Sequence, residues 1–147
     1  MTVVRGSVLI AAPPQRVWEV VMDPGRLGEW VTIHRAVRAV SPGPPVEGST
    51  MEQVLHLRGA DIRVRWLLVE CHEPVLARWE GRGPAGSTAH ISYHLVAVPE
   101  GTRFEYENEF RPPFGPLGAL ASRTVMGQIP QREADRSLAA LRELLER

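Results

Sequence analysis

The stretch APPQRVWEVVMDPGRLGEW, from Ala12 to Trp30, decides how the chain around it folds. It follows a β-branched and aliphatic run, Val3 to Ala11, that suits a first strand, and Pro13 and Pro14 interrupt that run. Proline loses nothing by lacking an amide hydrogen in a first helical turn, and its φ is already helical, so a helix is predicted to start there. Val17, Trp18, Val20 and Val21 give that helix one apolar stripe. Asp23 and Pro24 then end it and cap a second short helix, on which Leu27 and Trp30 share a face. Strand, two short helices and tryptophan leave apolar faces that only a sheet further along the chain can cover.

That sheet is legible downstream. From Ile33 to Phe110 apolar residues recur with period two, interrupted by turn residues at Ser41 to Pro45, Arg58 to Asp61, His72 to Pro74, Gly81 to Ser87 and Pro99 to Gly101. The pattern predicts an antiparallel meander. In its last strand Arg103, Glu105, Glu107 and Glu109 alternate with Phe104, Tyr106, Asn108 and Phe110, so one face meets water and the other a core. Ile62, Val64, Trp66 and Leu68 oppose Asp61, Arg63 and Arg65 in the same way, and alternation fails past Leu67, which predicts a bulge. Ile91, Tyr93 and Leu95 are placed inward against His90, Ser92 and His94. After the prolines at 112, 113 and 116, Leu117 to Leu145 repeats apolar residues at helical spacing, and Pro130 predicts a kink or break between Gly127 and Pro130.

Composition narrows the function classes. The 147 residues suffice for one core, with 17 basic and 17 acidic residues in balance. Every basic residue is arginine, none forms a basic run, and counterion release from a phosphate backbone would have little to draw on, so nucleic acid is not expected as a partner. Cys71 is the only cysteine, which excludes a disulfide within the chain and suits a small apolar filler. No segment approaches the roughly 18 apolar residues of a membrane span. A soluble, cytoplasmic protein without integral membrane association is the expectation.

The order strand, two short helices, about six further strands and long helix describes one α+β domain over residues 1–147, a strongly bent sheet of about seven strands gripped by the terminal helix on its concave face. Ala12-Pro13-Pro14 with Val17-Trp18, Asp23-Pro24 with Leu27 and Trp30, Gly48-Ser49, and Gly101-Thr102 carry a family likeness. On these motifs the chain resembles the helix-grip superfamily of birch-pollen-allergen-like, START and polyketide cyclase/dehydrase domains, and looks most similar to the bacterial cyclase and lipid-transport branch. The resemblance implies a cavity under the helix; it transfers no catalytic set, because this fold hosts carriers, receptors, cyclases, hydrolases and chaperone cofactors.

The contents of that cavity follow from the alternation. Gln53, Leu55, Val64, Trp66, Trp79, Tyr93, Leu95, Phe104, Tyr106 and Asn108 face inward from the sheet, with Leu120, Thr124 and Gln128 from the helix. An apolar, aromatic lining with few polar groups suits a small hydrophobic ligand, lipid or polyketide-like. An alternative is a polyketide cyclase or aromatase, with Tyr93 and Tyr106 donating to carbonyl oxygens, Asn108 orienting, and His34 at the mouth as base. A second alternative is a chaperone-associated or other protein-interaction module, and a homodimer is compatible with all three. No cofactor is expected. No metal is expected either: His90 and His94 lie roughly 13 Å apart along one strand, and His56 and His72 lack ligand-spaced neighbours. The Gly81 to Gly86 segment reads as a hairpin turn that can gate the cavity.

Overall fold

A computed structural model describes residues 2–111 and 130–147. Strand β1 (Thr2–Ile10) leads into helix α1 (Pro14–Val21), which starts with Pro13 extended at its cap and Pro14 in its first turn, and buries the expected Val17, Trp18, Val20 and Val21. Asp23 caps the 3-10 helix Pro24–Glu29, its carboxylate accepting from the Gly25 amide at 2.9 Å. The start of this segment is tied to the sheet by the Thr102 hydroxyl, fully buried, which donates to the Ala12 carbonyl at 2.7 Å.

Six further strands follow: β2 (His34–Arg38), β3 (Thr50–Leu57), β4 (Ala60–His72), β5 (Leu76–Arg82), β6 (Thr88–Val98) and β7 (Gly101–Arg111). They form one antiparallel sheet of seven strands in the order β1-β7-β6-β5-β4-β3-β2, so the first strand closes the meander against the last. The register of β4 on β5 shifts between Leu68 and Glu70, the bulge expected past Leu67. On the convex face the carboxylates of β7 meet cations and water: Glu105 pairs with Arg103 at 2.9 Å and Glu107 with Arg5 at 2.8 Å.

Helix α2 (Gln131–Leu145) covers the concave face. Pro130 is extended at φ −60° and ψ 144°, so the chain breaks from helical geometry there and the described helix begins at Gln131. The part of the expected helix from Leu117 to Ile129 lies outside the described residues. Ala134, Leu138, Leu141 and Leu145 are its buried stripe. Its start is pinned to β1 and its end to the residue that follows β1: the Gln131 side-chain amide donates to the Arg5 carbonyl at 2.6 Å, and the Glu146 carboxylate accepts from the Ala11 amide at 2.9 Å. Between them Leu138 lies over Gly6, where any Cβ would come within 2.6 Å of its Cδ1, so the absence of a side chain sets how closely helix and sheet approach. No described helix is long and apolar enough to cross a membrane.

Candidate functional site

The concave face leaves two apolar cavities, of about 70 Å³ and 60 Å³, the first of them lined by α2 as well. The first lies under the start of α2, between Trp30 of the N-terminal segment and Gln53, Trp79, Tyr93 and Tyr106 of the sheet. The second lies toward the other end of the sheet, against Val64, Asn108, Phe110 and the β5–β6 turn at Gly83, Pro84 and Ser87. Ile33, Leu55 and Trp66 line both, so these three side chains stand between them. Trp66 can lie flat there because its cross-strand neighbour is Gly81: a Cβ at that position would stand 2.6 Å from the indole Cζ3 and 2.8 Å from Val64 Cγ1.

A buried hydrogen-bonded relay holds this wall. The Trp66 indole Nε1 donates to Gln53 Oε1 at 2.9 Å, and Gln53 Nε2 lies 3.0 Å from His34 Nδ1. An indole nitrogen only donates, so it fixes the amide with oxygen toward Trp66 and nitrogen toward His34. Nδ1 therefore accepts, and the His34 proton sits on Nε2. Partial burial pushes the His34 pKa down as well, since water no longer solvates the cation fully. His34 contributes to the site through Gln53 and does not line either cavity.

Aromatic rings form the floor of the first cavity. Tyr93 and Tyr106 face each other across β6 and β7 with centroids 6.1 Å apart, and Trp30 meets Tyr93 at 6.0 Å and Phe104 at 6.2 Å, both edge-on. Such pairs add about 0.5–1.5 kcal/mol each beyond their buried area. Burial pushes the Tyr93 hydroxyl well above the ordinary phenol range, with Tyr106 adding to the effect. Burial likewise pushes Tyr106 up to about 12, while the neighbouring Asn108 amide pulls the other way. Both hydroxyls stay protonated near neutral pH and offer hydrogen bonds; neither is a base.

At the edge of the first cavity, α2 is latched to the N-terminal segment. Thr32 donates its amide to Ser137 Oγ at 3.1 Å and its hydroxyl to Glu133 Oε2 at 2.8 Å. Glu133 is the only charged side chain among the described residues lining either cavity. Trp30 Nε1 and Asn108 Oδ1 are buried with no hydrogen-bond partner among the described residues.

Of the inward set read from the sequence, Gln53, Leu55, Val64 and Trp66 line the cavities from β3 and β4. Trp79, Tyr93, Tyr106 and Asn108 do so from β5, β6 and β7. Leu95 and Phe104 share the concave face but line neither space; both belong to the buried core, where Phe104 packs against Trp30. Leu120, Thr124 and Gln128 lie outside the described residues. Sequence reasoning missed Ile33, Glu133 and Ser137, and did not place Trp30 in the lining. Among the described residues no three His, Cys, Asp or Glu side chains stand together as metal ligands would.

Known proteins share this architecture. The chain is similar to the uncharacterized protein Rv1546 of Mycobacterium tuberculosis, 29% identical over 131 residues that make up 88% of this chain and 92% of that one. It is also similar to the toxin Rv0910 of the same organism, 24% identical over 131 residues, covering 88% and 91% of the two chains. The crystal structure of TTHA0849 from Thermus thermophilus matches 98% of this chain and 97% of its own with a TM-score of 0.78 at 19% identity, a likeness of fold. The model of the polyketide cyclase / dehydrase and lipid transport family matches residues 1–146, the whole span from β1 through α2, and the chain belongs to that family.

Proposed function

We propose that the protein binds a lipid- or polyketide-like molecule between its sheet and C-terminal helix and holds it without covalent chemistry. The observation that carries this reading is the pair of apolar cavities meeting at Trp66. Each is about half the roughly 150 Å³ that accommodates one benzene ring. A larger ligand therefore occupies both and displaces the wall between them. An aromatic group burying roughly 150–250 Å² gains about 4–6 kcal/mol at 25 cal/mol per Å², which places simple probes in the micromolar to millimolar range.

The cyclase reading is supported by the facing hydroxyls of Tyr93 and Tyr106, which can polarise a carbonyl. Its expected base is not beside them, since both tyrosines hold their protons and His34 stands behind Gln53, while the Glu133 carboxylate that lines the same cavity is held by Thr32 and Arg136. Carriage is the better fit. Native mass spectrometry of gently purified protein is expected to show a retained small molecule, and the neutral dye N-phenylnaphthylamine is expected to brighten on binding and to be displaced by aromatic hydrocarbons. Protein of bare chain mass that leaves the dye dark would overturn the reading. Turnover of a polyketide-type substrate, lost in Tyr93→Phe with the fold intact, would replace it with the cyclase.

A further inference from the structure

From Ser49 to Leu57 the chain passes three spaces in order. Ser49, Thr50 and Met51 line a recess of about 30 Å³ under the loop between β2 and β3, Met51, Gln53 and Leu55 line the first cavity, and Leu55 and Leu57 line the second. Pro24, Val40, Gly43 and Pro45 also line the recess, and Trp79 joins Met51 in lining both it and the first cavity. The recess faces water, since Val40 is 44% exposed and Gly43 is exposed. Met51 and Trp79 thus stand between that recess and the first cavity. Trp79 is held in the core at 6% exposure. Met51 is half-buried, and its unbranched thioether side chain turns easily.

The rim of the recess is fixed by its own backbone. The Ser41 amide donates to the Thr50 carbonyl at 2.9 Å, the Thr50 amide donates to Ser41 Oγ at 2.8 Å, and the Gly48 amide donates to the Leu68 carbonyl at 2.8 Å. On the helix side the first cavity is closed by other bonds: Thr32 donates to Ser137 and to Glu133, and Gln131 donates to the Arg5 carbonyl. Lifting the start of α2 breaks these three contacts together and wets the apolar stripe beneath them. Turning Met51 aside breaks none of them. We infer that ligand enters and leaves the first cavity through the recess under the β2–β3 loop, with the Met51 side chain as the door and α2 remaining in place. The inference rests on the cavity-binding reading and adds the route and the residue that controls it.

Stopped-flow fluorescence of N-phenylnaphthylamine separates a door from a wall. Cutting back a residue that only lines the cavity speeds dissociation and leaves association as it was, whereas cutting back a door speeds both. Met51→Ala is expected to raise both rates about 2- to 12-fold, because no side chain has then to be forced off its rotamer during passage. Met51→Ile keeps an apolar side chain of similar volume but is stiff at χ1, and it is expected to lower both rates. Thr32→Val removes the hydroxyl that holds Glu133 and is expected to speed association less than Met51→Ala does. Where Met51→Ala is poorly folded, the direction of change in Met51→Ile decides the matter. Unchanged rates in the Met51 variants, or faster dissociation without faster association in Met51→Ala, overturn the inference. Association speeded more by Thr32→Val moves the door to the helix and overturns it too. All of these results leave cavity binding intact, whereas parent protein that leaves the dye dark overturns cavity binding itself and the inference with it.

Discussion

Replacing Gln53 with leucine removes, at similar volume, the one carboxamide that partners both Trp66 and His34. Trp66 is 5% exposed, so its indole N–H finds no water once Gln53 Oε1 is gone. Leaving that donor unpaired costs about 1–3 kcal/mol; His34 is half-buried and recovers a water partner, adding little. For a domain of this size 1 kcal/mol moves the melting midpoint by about 2–4 °C, so Gln53→Leu is expected to melt about 2–12 °C lower. Urea unfolding followed by tryptophan fluorescence should show a lower midpoint with an unchanged slope, since the same surface is exposed on unfolding.

The same residue fixes the tautomer of His34, while burial sets the direction of its pKa shift. Burial holds the folded His34 pKa below 6.5. As pH falls through 6.5 the unfolded chain takes up a proton that the folded chain refuses, so stability present above that pH is lost down to the folded value. Gln53→Glu keeps an acceptor for Trp66 but presents a carboxylate to Nδ1, which favours the imidazolium. The His34 pKa should then rise above its ordinary value, and stability should be lost on raising the pH through it. Imidazole resonances in a pH titration by NMR report both cases. An unchanged midpoint in Gln53→Leu would refute the relay, and a parent His34 titrating at or above 6.5 would refute the burial of its ring.

Two further perturbations probe the floor and the wall. The chain has two tyrosines, Tyr93 raised by burial and Tyr106 pushed up to about 12 from 10.0. The unfolded chain releases phenolic protons through 10.0 while the folded one keeps them, so stability is intact below that pH and falls toward about 12; native protein near pH 11 should show little tyrosinate absorbance, and substantial absorbance there with the fold intact would contradict the burial of both rings. Gly81→Ala places a Cβ 2.6 Å from the Trp66 ring, and such overpacking costs about 1–3 kcal/mol; the tilted indole should narrow both cavities and weaken N-phenylnaphthylamine binding, whereas unchanged affinity would show that Trp66 does not bound the ligand space.

The fold was legible because its signals are local. Proline at a helix start, Asp23 before Pro24, and strict alternation in β7 each depend on neighbours within a few residues, and alternation assigns a face wherever one side of a sheet is wet. Alternation says nothing about position along the strand. Leu95 and Phe104 obey it as well as Tyr93 and Tyr106, yet they are packed in the core and line neither cavity. Glu133 and Ser137 escaped notice for a related reason: beside the apolar stripe Ala134 and Leu138 they read as the wet flank of an amphipathic helix. Their partner Thr32 is about a hundred residues away in sequence, and only the curl of the sheet brings it close. His34 shows the converse limit: it was expected at the mouth as a base, and the structure places it against Gln53, outside the lining of both cavities.

The stretch that names the fold also carries one wall of the site, and the residues just after it bind the parts together. Trp30 packs against Tyr93 and Phe104 on the floor. Thr32 holds α2 through Glu133 and Ser137. Ile33 stands between the two cavities, and His34 reaches Trp66 through Gln53. Successive side chains of one short connection thus contact floor, helix and dividing wall. Moving α2 to admit a ligand strains the Thr32 contacts, and a shift of Thr32 is felt one residue away at Ile33 and two residues away at Trp30 and His34. If the proposed ligand enters by displacing α2, the contacts of residues 30 to 34 would couple that movement to the wall between two spaces that are each smaller than a benzene site.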